Sequence, residues 1–224
     1  MMRIMIVKEI IYDEILPLRT SDTCNFALRI MEENRVNHLP VVNEIDLLGL
    51  VSDFDLVNHA DLEEPVGNVR LTLLNAFISE YHHVYDAMKM ITERRLSLLP
   101  VVDHRNAYAG VITPLNLIDA LTKRTSVLSP GGIIVLEIAG GHYSMAEIAR
   151  IIESNDARIL NFFADPKPES TLTELTLKIN ADDLNPVIQT LQRYQYNIKA
   201  TFAEKDDLDE LKERYDALMN YLGI

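Results

Sequence analysis

The sequence predicts an α+β protein in two parts, a duplicated helix–strand–strand–helix unit followed by a βαββαβ unit, and three observations carry that reading. The string His38-Leu39-Pro40-Val41-Val42 returns as Leu98-Leu99-Pro100-Val101-Val102 about 60 residues later. A Ser-Pro-Gly-Gly turn signal at 129–132 then interrupts the chain. Beyond it, apolar and polar residues alternate from Leu172 to Ile179, the period of a strand with one buried face.

In the first copy Cys24, Ala27, Leu28 and Met31 have the spacing of a helix with one apolar face, and Val84, Ala87, Met88 and Ile91 repeat it in the second. A strand follows in each (Leu39 to Val42, Leu99 to Val102), then a turn and a second strand (Leu48 to Val51, Ala109 to Ile112). Gly49-Leu50-Val51-Ser52-Asp53-Phe54-Asp55 matches Gly110-Val111-Ile112-Thr113-Pro114-Leu115-Asn116, with one extra residue in the Asp103 to Ala109 turn. A unit this small cannot cover its own sheet, so both copies are expected to pack as one domain over 1–124, the first about 8–60 and the second about 68–124. Residues 125–132 read as a linker.

The second part is expected over 133–203 as strand 133–139, helix 144–155, strand 157–164, strand 172–179, helix 183–194 and strand 197–202. Ser144 and Glu147 form a capping box at the first helix start, and Pro166 and Pro168 mark the turn between the middle strands. From 204 to 224, Leu208, Leu211, Tyr215, Leu218 and Leu222 form a heptad seam on an amphipathic helix. Two heptads are too few to stand alone, so the seam is expected to pack on its own domain or across a dimer.

Composition narrows the function. At 48% hydrophobic residues the chain can bury real cores, and its net charge of -13 opposes the phosphate neutralisation that nucleic-acid binding needs. No nucleic-acid partner is expected. One cysteine excludes an internal disulfide framework and any cysteine-rich metal site, which fits a cytoplasmic protein. Lys8 and Glu9 break the first apolar run before a signal sequence could form, and Ile133 to Gly141 is too short to cross a bilayer, so no membrane association is expected. His82 and His83 are adjacent and read as solvated loop residues rather than metal ligands, while Cys24 reads as a small core residue. No Walker loop, Ser-His-Asp order or H-E-x-x-H is present, and no enzyme activity, metal or required cofactor is expected.

The repeated helix, h-x-L-P-V-V-(D/N) and G-h-h-(S/T)-x-x-D pattern resembles the cystathionine-β-synthase (CBS) domain, which occurs in pairs and often binds adenine nucleotides. The resemblance spans Lys8 to about Arg124, half of the chain. Ser52 and Thr113 each open a helix, where a hydroxyl either caps free backbone N–H groups or shares them with a phosphate. One turn later Asp55 faces the same side and can accept from two ribose hydroxyls, the role this carboxylate commonly has in the family. Asn116 keeps an acceptor oxygen there without the charge, so the first site is the better ribose binder. Asp53 and Asp55, with Glu44, Asp46, Asp61, Glu63 and Glu64 close in sequence, disfavour phosphate in the first copy. Arg94, Arg95, Arg105, Lys123 and Arg124 favour it near the second. The candidate set is therefore Ser52, Asp53, Asp55, Thr113 and Asn116, with His38 and Leu98 at the heads of the strands. The ligands implied are AMP, ADP, ATP, adenosine or S-adenosylmethionine. A Ser-x-x-Asp turn is also a capping motif in its own right, and that reading stands beside the ligand one.

The βαββαβ order is ferredoxin-like, and with Gly140-Gly141 between first strand and first helix it resembles an ACT domain, a family that often binds amino acids at paired interfaces. The sequence has Ala139-Gly140-Gly141-His142 where that family has Asp-x-Pro-Gly. Backbone N–H groups of Gly140, Gly141 and His142 could hold a carboxylate, or the glycines could simply serve a tight turn. A CBS pair followed by an ACT-like domain is similar to the regulatory proteins of bacterial acetoin utilisation. That resemblance implies a homodimeric ligand sensor acting on a partner protein or on its own assembly, the alternatives being a small-acid sensor through the second domain and a structural dimer with vestigial sites.

Overall fold

In the computed structural model of the chain, residues 5–59, 61–139, 143–166, 171–203 and 219 are described. They form two compact units, Met1–Leu121 and Thr122–Ile224.

The first unit runs β1 (Leu18–Arg19), α1 (Cys24–Asn34), β2 (His38–Asn43), β3 (Asp46–Ser52) and α2 (Asp53–Val57). It repeats as β4 (Ile78–Ser79), α3 (Val84–Arg94), β5 (Leu99–Val102), β6 (Tyr108–Ile112) and α4 (Pro114–Arg124), whose last turn continues past Leu121. Each copy is a three-stranded sheet with β2 or β5 in the middle, parallel to the short first strand and antiparallel to the third. The first helix of each copy buries the expected stripe, Cys24, Ala27 and Met31 or Val84, Ala87 and Ile91. Each ends on an arginine in the left-handed conformation, Arg35 at φ 54° and Arg95 at φ 52°. Proline is tolerated in the middle strand for a local reason. Leu50, opposite Pro40, sends its N–H away from it to the Leu73 carbonyl, and β1 pairs only from Val41 onward, so the missing donor falls beyond the end of β1. One core holds both copies, joining Leu18, Leu39, Leu50 and Leu56 to Ile78, Leu99, Ile112 and Leu117.

The copies also trade the segments that precede them. Tyr12 and Val111 exchange backbone hydrogen bonds at 2.8 and 3.0 Å, so the first copy's leader pairs with β6 of the second. Leu50 donates to Leu73 at 3.2 Å, so the second copy's leader pairs with β3 of the first. The exchange extends upstream. Val66 donates to Asp22 and Gly67 to Thr20, just as Val7 donates to His82 and Lys8 to Glu80, and both valines are fully buried. In the first strap Lys8 Nζ reaches the buried carboxylate of Glu80 at 2.9 Å, and that bond holds the Glu80 carboxyl below its usual range.

The second unit is β7 (Gly132–Ala139), α5 (Met145–Glu153), β8 (Ile159–Pro166), β9 (Leu172–Ile179), α6 (Asn185–Arg193) and β10 (Asn197–Phe202). The sheet order β10-β7-β9-β8, antiparallel throughout, is the ferredoxin-like arrangement. Ile134, Leu136, Leu175, Leu177 and Ile179 pack against Ile148, Ile151, Ile152, Val187 and Leu191. Three details depart from expectation. Ser144 caps Glu147 N at 3.2 Å, but the Glu147 carboxylate accepts from the Tyr196 hydroxyl at 2.6 Å instead of completing a capping box. The pairing with β9 carries β8 on to Pro166, which ends an edge strand where a missing donor is harmless. The end of the expected linker is packed sheet: Gly132 is buried opposite Ile179, and a Cβ on Gly131 would sit 2.0 Å from the Ile179 carbonyl oxygen. Among the described residues no helix is long and apolar enough to cross a membrane. The Leu208-to-Leu222 seam lies outside the described residues.

Candidate functional site

Register brings the first copy's residues together. His38 stands directly opposite Ser52 at the end of the β2–β3 ladder, and the next residue begins α2. Ser52 Oγ accepts from Asp55 N at 3.1 Å and donates to Asp55 Oδ2 at 2.8 Å, while Ser52 N donates to the same oxygen at 3.0 Å. This is a reciprocal capping box with aspartate in the third helical position. Asp53 N is fixed by the Asn37 carbonyl at 3.0 Å, and the Asp53 carboxylate turns back to Phe54 N at 2.7 Å. The second copy builds the same knot with an amide: Asn116 Oδ1 accepts from Thr113 N at 3.0 Å and Thr113 Oγ1 at 2.7 Å, and Asn116 N donates to Thr113 Oγ1 at 3.2 Å.

Two residues outside the sequence-derived set complete the first site, and both come from the second copy. Thr72, in the exchanged leader, donates to the Asp55 carboxylate at 3.1 Å from Oδ2. Ser97 N donates to His38 Nδ1 at 3.2 Å, Ser97 Oγ lies 3.0 Å from the same nitrogen, and Asn37 N donates to Ser97 Oγ at 2.9 Å. The accepting Nδ1 places the His38 proton on Nε2. Ser97 could have been found from its position, since it is the counterpart of Asn37 beside the repeated Leu-Pro-Val-Val. Thr72 had no such signal beyond a hydroxyl in an apolar run.

Leu98 is wholly buried, so its side chain serves the core. The basic residues assigned to the second copy are partly engaged elsewhere: Arg94 donates to the Asn75 carbonyl and Arg105 to His104 Nε2. Gly140, Gly141 and His142 lie outside the described residues. His83, expected in a solvated loop, instead caps α3, its Nδ1 accepting from Tyr85 N at 3.2 Å.

Burial pushes the His38 imidazole below its usual range, against the opposing pull of Asp53 and Asp55. A histidine whose folded-state affinity for protons is depressed contributes stability fully above the unfolded value near 6.5, and loses it as pH falls below that value. Chemical denaturation between pH 7.5 and 5.5 should therefore show stability falling with pH, with a shallower fall in His38→Gln, which keeps an acceptor and cannot titrate. Equal slopes for the two proteins would remove His38 from this role.

Two βαββα copies exchanging leaders around one core, each with a hydroxyl–acceptor knot at the head of its last helix, define a tandem-repeat module. The family model of the CBS domain matches residues 7–61 and 75–123, and the first unit is a CBS-domain pair. Inosine-5'-monophosphate dehydrogenase of Methanocaldococcus jannaschii is 24% identical over 147 residues, 65% of this chain but 29% of that enzyme. A CBS domain pair/ACT domain protein of Thermotoga maritima is 25% identical, with a TM-score of 0.49 over 53% of this chain and 98% of its own. A protein described as an acetoin utilization protein from Vibrio cholerae is 20% identical, with a TM-score of 0.46 over 54% of this chain and 93% of its own.

Proposed function

We propose that this chain is a cytoplasmic regulatory sensor whose CBS pair binds an adenine nucleotide or adenosine derivative and thereby changes its own assembly or a partner protein's activity. The observation that carries the reading is the Asp55 carboxylate. It is held by Ser52 at a helix start, only partly buried, and among the described residues its Oδ1 is engaged by Thr72 alone, at 3.3 Å. A rigid carboxylate at a helix start, whose Oδ1 has one long contact, suits a pair of vicinal hydroxyls, as ribose presents them. In the second copy Asn116 offers one amide oxygen already shared by two donors, which supports one ligand per pair rather than two.

Self-assembly is supported by a repeated apolar surface. Phe54 and Val57 on α2 are exposed, and their counterparts Leu115 and Ile118 on α4 are exposed too. A surface that repeats itself within the chain is suited to a second copy of the same chain meeting it isologously, and the proposal places the homodimer contact there. The second unit, read as an ACT-like domain, would receive the change. Ligand can drive this only through different affinities for two arrangements of the dimer.

Calorimetric titration of AMP, ADP, ATP, adenosine and S-adenosylmethionine at low millimolar concentration tests the reading. At least one should bind, and Asp55→Ala should weaken it by about 1.5 to 3 kcal/mol, the scale of hydrogen bonds to a charged group. Absence of binding by all five would move the function to the second unit or to a structural dimer.

A further inference from the structure

The Asp55 carboxylate is already occupied, and by the other copy. Thr72 Oγ1 lies 3.1 and 3.3 Å from its two oxygens, and the neighbouring Leu73 carbonyl takes the Leu50 N–H at 3.2 Å. The leader of the second copy is thus fastened to the first copy at two adjacent points, one of them the acceptor that a ribose would use. The second site keeps the backbone fastening, Tyr12 to Val111, but among the described residues no leader side chain bonds to Asn116. There Tyr12 occupies the register of Leu73, which puts Ile11 in the place of Thr72, and isoleucine cannot donate.

We propose that Thr72 is an internal competitor for Asp55: a latch that a nucleoside must displace to enter the first site, so that occupancy releases the leader around residues 71–74 from the first copy. The inference rests on the nucleotide reading above and names its regulation. The chemistry is an exchange of acceptor partners. Thr72 and a ribose hydroxyl are equivalent donors, and Oδ2 already receives both Ser52 donors, so the ligand gains the carboxylate at the cost of the Thr72 bond. The freed segment leads directly into the buried Ala76 and Ile78, the second of them in β4, the edge strand that pairs with β5 of the second copy. Ligand in one copy is thereby read by the other, through an element that touches the first site and runs into the second copy's core. The asymmetry of the pair follows as well, since only the charged site carries the latch.

The full chain titrated with AMP, as wild type, Thr72→Val and Thr72→Ser, tests this, with amide exchange of Leu50 followed in parallel. Thr72→Val keeps the shape and removes the donor. It should bind AMP about threefold to tenfold more tightly than wild type, with the Leu50 amide exchanging faster even without ligand. Thr72→Ser should match wild type, and in wild type AMP should itself speed Leu50 exchange. AMP binding to wild type with equal or weaker binding to Thr72→Val overturns the latch while leaving the nucleotide reading intact. No AMP binding to wild type together with binding to Thr72→Val supports it in its strongest form. Binding to none of the three overturns both.

Discussion

Gly131→Ala should unfold the second unit well before the wild type. Gly131 has φ 132°, a conformation that an L side chain rarely adopts, and an added Cβ would lie 2.0 Å from the Ile179 carbonyl oxygen and 3.1 Å from Asn180 Cα. The obstacle is backbone, not the tip of a flexible side chain. Ile179 is the last residue of β9, fully buried and paired with Gly132, and Lys178 Nζ holds the Gly131 carbonyl at 3.0 Å, so neither strand can give way alone. Overpacking of this kind costs about 1–3 kcal/mol and a strained backbone position a similar amount. Denaturation followed by amide exchange should show the loss in β7 and β9, with the amides of β2 and β5 unaffected. A variant whose β7 amides exchange as slowly as the wild type's would show that the sheet accommodates the methyl group and that this account is wrong.

Gly110→Ala should loosen the first unit by a separable pair of causes. Its φ is 137°, and its Cβ would meet Ile11 Cγ2 at 2.5 Å and the Tyr12 carbonyl at 3.2 Å. The residue lies in β6 where the first copy's leader crosses, so the methyl group would wedge the leader away from Val111 and open the Tyr12–Val111 hydrogen bonds. A loss of about 2–4 kcal/mol is expected, part steric and part backbone strain. Ile11→Ala removes the nearer steric contact and leaves the Tyr12 carbonyl and the backbone strain in place. The double variant should therefore be more stable than the sum of the single changes by about 1 kcal/mol or more, while staying below Ile11→Ala itself. Strict additivity would mean that the leader is not held where the structure puts it.

The repeat was legible because it is written in contiguous residues: Leu-Pro-Val-Val, the helix stripe and the hydroxyl-x-x-acceptor turn each carry their own spacing. The knots Ser52–Asp55 and Thr113–Asn116 follow from that spacing alone. What the sequence hid depends on distant pairing. β1 and β4 are two residues long and have no period to detect, and the leaders are ordinary apolar runs until a strand of the other copy lies beside them. For the same reason Thr72 and Ser97 escaped notice, since each acts on a residue far from it in sequence. Glu147 reads as half of a capping box because four residues say so, and it leaves that role because Tyr196, on the far side of the domain's chain path, offers a shorter bond. Gly131 and Gly132 read as linker because glycine is the commonest sign of one, yet it is also the residue that lets two backbones meet.

The exchange of leaders sets how small such a chain could be made. A single copy cut from the pair would have a bare third strand, an exposed valine meant for its neighbour and a leader with nothing to lie on. Two separate copies would satisfy each other's backbone, since the main-chain bonds of Val7, Lys8 and Tyr12 to the second copy have counterparts in those of Val66, Gly67 and Leu73 to the first. The same contacts could be made by two half-length chains embracing by their leaders. In the single chain the halves are joined but not identical: one holds a carboxylate engaged by Thr72 of the other, and its counterpart holds an amide.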